Sequence, residues 1–299
     1  MSFTTDIKAE LCKIEASTCC KIAECYGILL FGRAFSVHNM IISTECEDVV
    51  TRLSFLLGRC YGVQPNISVG GNSRDYFTAT LQNKSKIKEI YNSFGYYGFK
   101  EGDLLIKPHN FEDDCCKSAF LRGVFLSCGT VTDPNKGYRA EFPISDQSLA
   151  KELYFLTLEM GLSPHLSARG NNLVVYFTGN EDVSDLLTFI GAGAYTLKIA
   201  DISVYKDMRN RLNRITNCET ANITKTVNAA VNQCMAINKL KSHRQFAKLS
   251  EELQKVAELR LKYDQASLQE LVELYDGEIT KSGLNHRLKR LVDLAESIE

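Results

Sequence analysis

No run of about 18 consecutive apolar residues occurs anywhere in the chain, which excludes a helix that spans a bilayer. There is no CxxC pair and no signal-peptide pattern, although the chain carries 11 cysteines, an odd number. Adjacent cysteines such as Cys19-Cys20 sit poorly for a common disulfide and fall on an apolar helix pattern. The expectation is therefore reduced cysteines acting as buried small hydrophobes, with neither disulfides nor a metal site, in a cytoplasmic protein. A large net charge is also missing: 35 Lys and Arg stand against 36 Asp and Glu. The balance is unevenly spread. Residues 1–197 hold 18 cations and 22 acids, whereas residues 198–299 hold 17 cations and 14 acids. A nucleic-acid surface needs local cations to displace condensed counterions, so any such surface is expected in the last third.

What the chain does have is a segment that occurs twice. CCKIAECYGILL at 19–30 returns as CCKSAFLRGVFL at 115–126, with Cys19, Cys20, Lys21, Ala23, Gly27 and Leu30 repeated 96 residues later. So long a period indicates two copies of a half-domain, not a solenoid. Each copy reads as a helix with a glycine in its middle, which costs roughly 1 kcal/mol against alanine. Matched glycines suit two helices that approach closely across a pseudo-twofold axis within one chain.

The flanking patterns agree. The first copy is followed by a strand over 35–43, a helix over 47–61, strands over 66–69 and 76–81, and a helix over 85–94. The second is followed by a strand over 138–142, a helix over 147–160, strands over 165–169 and 173–177, and a helix over 182–190. Even the turns echo, Tyr61-Gly62-Val63-Gln64-Pro65 against Met160-Gly161-Leu162-Ser163-Pro164. Each half thus reads helix, strand, helix, strand, strand, helix.

Leu121 to Gly129 resembles the nine-residue signature helix of the LAGLIDADG homing endonucleases, and Cys25 to Arg33 resembles it more loosely. In those nucleases two such helices pack at a pseudo-dyad, and an acid at the foot of each binds a divalent cation. Hydrolysis of a phosphodiester with a hard cation requires carboxylates. The matching positions here are Gly32 and Cys128, preceded by Leu30 and Leu126, so no catalytic or metal-binding residue is assigned. Of the nearby acids, Glu24 is expected to be a solvated surface group and Asp133 a turn residue in Asp133-Pro134-Asn135-Lys136-Gly137.

From Tyr195 to about Lys241 the pattern is helical with one interruption. Lys206, Arg209, Arg211 and Arg214 place four cations in nine residues against the single acid Asp207, and form a secondary candidate for backbone contacts to DNA. Asn210, Asn213, Asn217, Asn222 and Asn228 are poor helix formers, expected either to cap helix ends or to contact sugar and phosphate oxygens. Residues 239–249 read as a connector. Three helices follow: 251–262, with Leu253, Val256, Ala257 and Leu261 on one face; a second opening at Ser267 with Glu270 at capping-box spacing; and a third from about 280 to 297 that buries Leu284, Leu288, Leu291 and Leu294. This is a helix-turn-helix pattern whose third helix is the recognition candidate. Lys281, Ser282, Asn285, His286, Arg287, Lys289 and Arg290 are the residues expected to read or grip double-stranded DNA, Asn at adenine edges, Arg or Lys at guanine edges or phosphates.

Taken together, these segments resemble the WhiA family of sporulation regulators over nearly the full length. The specific runs are Asn217-Cys218-Glu219-Thr220-Ala221-Asn222 and Lys281-Ser282-Gly283-Leu284-Asn285-His286-Arg287. The resemblance implies an α+β fold: a duplicated, degenerate LAGLIDADG-type domain over residues 1–197 (half-repeats 15–100 and 111–195), a basic helical linker over 198–248 and an all-α helix-turn-helix domain over 249–299. It implies a DNA-binding regulator without nuclease activity, nucleoid-associated, acting in cell division, chromosome segregation or sporulation transcription, with no cofactor and no membrane partner. Two other readings stand beside it: an adaptor whose acidic duplicated domain docks a protein partner, and an active metal-dependent endonuclease. The internal pseudo-dyad removes one common need for dimerisation, so a monomer fits.

Overall fold

A computed structural model describes residues 2–71, 76–97 and 104–298; the expected outer ends of the first half-repeat and of the two terminal domains, residues 100, 1 and 299, fall outside them. The chain divides into two compact units, Met1–Lys206 and Asp207–Glu299.

The first unit opens with α1 (Phe3–Leu11) and then runs twice through one motif. The first pass is α2 (Thr18–Leu30), β1 (Ala34–Phe35), β2 (Met40–Thr44), α3 (Glu47–Tyr61), β3 (Asn66–Gly70), β4 (Tyr76–Thr80) and α4 (Lys84–Ser93). The second is α5 (Asp114–Cys128), β5 (Thr130–Val131), β6 (Arg139–Ile144), α6 (Gln147–Glu159), β7 (His165–Arg169), β8 (Asn172–Thr178) and α7 (Asn180–Ile190). Each pass yields a four-stranded antiparallel sheet, ordered β1-β2-β4-β3 and β5-β6-β8-β7. The expected strand over 35–43 is in fact two, because Ser36 closes a turn by accepting from the Asn39 and His38 amides. β5 is a further short strand with no counterpart in the sequence reading; its two residues are too few to show alternation.

Period-two burial along β2 and β6 puts Met40, Ile42, Ala140 and Phe142 against the core. The turns after α3 and after α6 each need a residue at positive φ, and Gly62 (φ 63°) and Gly161 (φ 80°) supply it.

The helices α2 and α5 are buried on every side over 23–30 and 119–126 and form the centre of the unit. A Cβ on Gly27 would lie 2.3 Å from the Phe120 carbonyl oxygen, and one on Gly123 would lie 2.2 Å from that of Glu24. Phe120 is Glu24 displaced by the same 96 residues, so the two close approaches are related by the dyad itself. Contacts between residues at matching heights show that the two helices run parallel.

Glu24 is not a surface acid. It is fully buried, held by the Arg52 guanidinium at 2.7 and 3.0 Å and by Arg122 Nε at 3.0 Å. Position in the helix core, facing two arginines that no local spacing would reveal, overrode the expectation from charge alone. Asp133 does act as a turn residue, its Oδ1 accepting from the Asn135 amide at 2.8 Å. The cysteines are all reduced, yet Cys115 and Cys218 are exposed and Cys19 is half-buried, so not all of them are core hydrophobes.

α8 (Gly193–Ser242) is continuous, without the expected interruption. All five asparagines therefore lie inside a helix and cap nothing; the helix tolerates them because each adds only a few tenths of a kcal/mol of propensity cost. The connector is correspondingly shorter, since α8 carries Ile237 and Leu240 into the second unit's core. That core is completed by α9 (Glu251–Lys262), α10 (Leu268–Glu273) and α11 (Lys281–Glu296), through Val256, Ala257, Leu271, Leu284, Leu288, Leu291 and Ala295.

Candidate nucleic-acid interface

Three local devices fix α11. The capping box at α10 forms as the spacing predicts: the Glu270 amide donates to Ser267 Oγ, and the Ser267 amide donates to Glu270 at 2.7 Å. Buried Arg260 donates to the Ala266 carbonyl at 2.6 Å, tying the turn between α9 and α10. Thr280 caps α11, its Oγ1 accepting from the Gly283 amide at 3.1 Å.

At 3.6 residues per turn, Lys281, Asn285, Lys289, Ser282, His286 and Arg290 fill one half of the α11 circumference, and all six are exposed. Leu284, Leu288, Leu291 and Ala295 occupy the opposite, buried arc. Arg287 lies between the two. It reaches Glu252 of α9 at 2.8 Å and donates to the Tyr275 hydroxyl at 3.4 Å, so it braces α11 against the rest of the unit. The exposed half thus presents Asn, Ser and His with three cations, a set that can meet base edges and phosphates together.

The secondary candidates do not form one surface. Lys206 belongs to the first unit, where its ammonium donates to the Pro134 carbonyl and lies 5.0 Å from the Tyr138 ring. Arg209, Arg211 and Arg214 are exposed in the second unit and spread around more than half of α8. On the second sheet, Arg139 and Arg169 both pair with Glu141, whose carboxyl they hold below its ordinary range, the Arg169 hydrogen bond contributing most. One carboxylate is thus shared by both guanidinium groups, and the cluster keeps a net charge of +1.

The feet of α2 and α5 offer no carboxylate at the signature positions. A Cβ on Gly32 would fall 2.0 Å from Ile42 Cδ1 and 2.9 Å from the Ile41 carbonyl oxygen, so an acid there would require the buried Ile42 side chain to turn aside and the β2 backbone to give slightly. Burial pushes the Cys128 thiol up to about 12. Beside it, buried Lys8 donates its ammonium to the Leu126 carbonyl at 3.0 Å, and burial lowers its pKa. A cation already sits where the α5 dipole turns negative. Asp146 lines the adjoining cavity but is committed to capping α6 through the Leu149 amide at 2.9 Å.

Two LAGLIDADG-type halves without their signature acids, joined to a helical unit with an exposed cationic face on α11, define a degenerate nuclease scaffold coupled to a helix-turn-helix. Residues 117–209 match the family profile described as the WhiA LAGLIDADG-like domain, and residues 212–295 match the WhiA C-terminal HTH domain. Proteins named "Probable cell division protein WhiA" from Ruminiclostridium cellulolyticum and Clostridium novyi are 35% and 34% identical to this chain, over 100% of it and 98% of each relative. A crystal structure of full-length WhiA from Thermotoga maritima superposes with a TM-score of 0.61 at 24% identity, covering 99% of this chain and 98% of that one. The chain belongs to the WhiA family. Among the described residues no helix is long and apolar enough to cross a membrane.

Proposed function

We propose that this protein is a non-enzymatic, sequence-specific DNA-binding regulator with a role in cell division and chromosome segregation or in sporulation transcription. The observation that carries the DNA-binding part is the exposed half of α11, where Lys281, Ser282, Asn285, His286, Lys289 and Arg290 form one polar and cationic face over a leucine-packed back. Arg287 positions that helix through Glu252. Of the secondary candidates Arg209, Arg211 and Arg214, the last two, three residues apart, share a face of α8 and add phosphate contacts. The division role is taken from the names of the relatives, and the association with the nucleoid follows from DNA binding. The absence of nuclease activity is supported by Gly32, Cys128 and the Lys8 ammonium at the feet of the signature helices.

Base reading and phosphate gripping separate cleanly in titrations of the full chain. Asn285→Ala is expected to relax preference at one base position by ~1–3 kcal/mol while leaving binding to random DNA nearly unchanged. Equal losses on both DNAs would remove Asn285 from base recognition. Arg290→Ala is expected to weaken binding to every sequence and lower the slope of log K against log salt by about one. An unaltered slope would show that Arg290 touches no phosphate. Supercoiled plasmid incubated with magnesium should stay intact; nicking would reinstate a nuclease.

A further inference from the structure

The four cysteines of the repeated CCK segments meet at one point. Cys19, Cys20, Cys115 and Cys116 hold their sulfurs within 4.8 Å of one another, and among the described residues they are the one group of three or more His, Cys, Asp or Glu that could hold a metal ion. Cys20 and Cys116 are buried, Cys19 is half-buried and Cys115 is exposed, so the group has a closed floor and an open rim. We propose that these residues form a tetrathiolate site for a single zinc-class metal ion that fastens the two half-domains together at the N-terminal end of the dyad. This reverses the sequence expectation for these cysteines. The reversal comes from convergence in space: a spacing of 96 residues carries no ligand signature, whereas four sulfurs at one point do.

The donor set fits the chemistry. Thiolates are soft ligands, and four of them with no oxygen or imidazole partner select zinc or another thiophilic ion over magnesium or calcium. A tetrahedral ion with sulfurs at about 2.3 Å spaces those sulfurs roughly 3.8 Å apart, so closing from the observed separation needs less than about 1 Å of movement per pair. A multi-iron cluster would push its ligand sulfurs outward past its bridging sulfides, and the group is too tight for that. Each helix contributes two of the four sulfurs, and all of them lie within 4.8 Å of one another across the dyad.

Electrostatics supply a reason for an anionic centre at this spot. The pairs occupy the second and third positions of α2 and α5, parallel helices whose positive ends lie side by side. Two parallel dipoles repel, and the negative charge of a metal tetrathiolate offsets both ends at once. Lys8 does the matching task at the negative end of α5, through the Leu126 carbonyl. In addition, Lys21 and Lys117 follow the two pairs directly. All four ligands come from helix backbones held by the glycine-mediated packing at Gly27 and Gly123, so the site is preorganised on rigid elements.

The full-length protein, purified without oxygen or chelator, is expected to carry about one zinc per chain by plasma mass spectrometry. Cobalt(II) added to the reduced, zinc-stripped protein should produce a thiolate-to-cobalt charge-transfer band. Cys19→Ser together with Cys115→Ser should abolish that band while far-ultraviolet circular dichroism stays unchanged, and Cys218→Ser, on α8, should leave it intact. A second reading uses the unaltered chain: zinc should suppress alkylation of exposed Cys115 but not of exposed Cys218. No bound metal together with no cobalt band overturns the proposal. So does persistence of the band in the double variant, equal alkylation of both cysteines, or recovery of Cys19–Cys116 and Cys20–Cys115 disulfides from cells with blocked thiols.

Discussion

Glu24→Ala is expected to lower the stability of the first unit by about 3–5 kcal/mol, because it leaves two buried guanidinium groups without their shared carboxylate. The Arg52 and Arg122 side chains are each 7% exposed and Glu24 is sealed, so water cannot replace the lost partner. Arg52 keeps its bond to the Cys12 carbonyl and Arg122 its bond to the Ile190 carbonyl, but neither carbonyl carries a full negative charge. The dyad supplies a sharper version of the test. Displaced by 96 residues, Glu24 becomes Phe120 and Tyr26 becomes Arg122, so the ion pair across the axis on one side corresponds to the Tyr26–Phe120 ring pair, 5.2 Å apart, on the other. Installing the aromatic solution on both sides, with Glu24→Phe, Arg122→Tyr and Arg52→Leu, removes all three charges and should cost less than Glu24→Ala alone. The chain has no tryptophan, and the near-ultraviolet dichroism of buried Tyr26, Tyr91 and Tyr96 reports this unit directly. A denaturation midpoint unmoved by Glu24→Ala would refute the buried triad.

Gly27→Val and Gly123→Val should each cost about 3 kcal/mol or more, and together they should unfold the first unit. The added carbons would meet backbone carbonyl oxygens at 2.3 and 2.2 Å, and backbone in the middle of a packed helix cannot rotate away as a side chain can. Relief requires separating α2 from α5, which opens the core along its whole length. Gly137→Ala is the control, since nothing stands within 4 Å of its Cβ position and its φ is ordinary. If the valine variants melt with the control, the helices do not touch at those glycines.

The offset of 96 residues, two mid-helix glycines and two glycine-proline turns made the duplicated fold legible, because each is a repeated local pattern with one physical cause. Helix bounds such as Glu47–Tyr61 and Glu251–Lys262 also agree with their sequence patterns, being set by amphipathic period and, for the first, by the left-handed Gly62 that ends it. The short strands β1 and β5 were not legible, since two residues show no alternation. Nor was the burial of Glu24, whose partners lie 28 and 98 residues away. The face of α11 followed from its leucine spacing, but the inward turn of Arg287 depends on Glu252 of another helix. Cys19 and Cys115 illustrate the same limit: adjacent cysteines on a helix look like small hydrophobes until the parallel partner brings two more sulfurs to the same point.

The most direct measurement is selection of genomic DNA fragments by the full-length protein and by its Lys281→Ala, Asn285→Ala, Lys289→Ala variant, in magnesium and across a salt series. Enrichment of one short motif by the native chain, its disappearance in the triple variant and the recovery of intact fragments throughout are the predicted results. The same motif enriched equally by the variant would place recognition away from α11, and cleaved fragments would contradict the reading of Gly32 and Cys128.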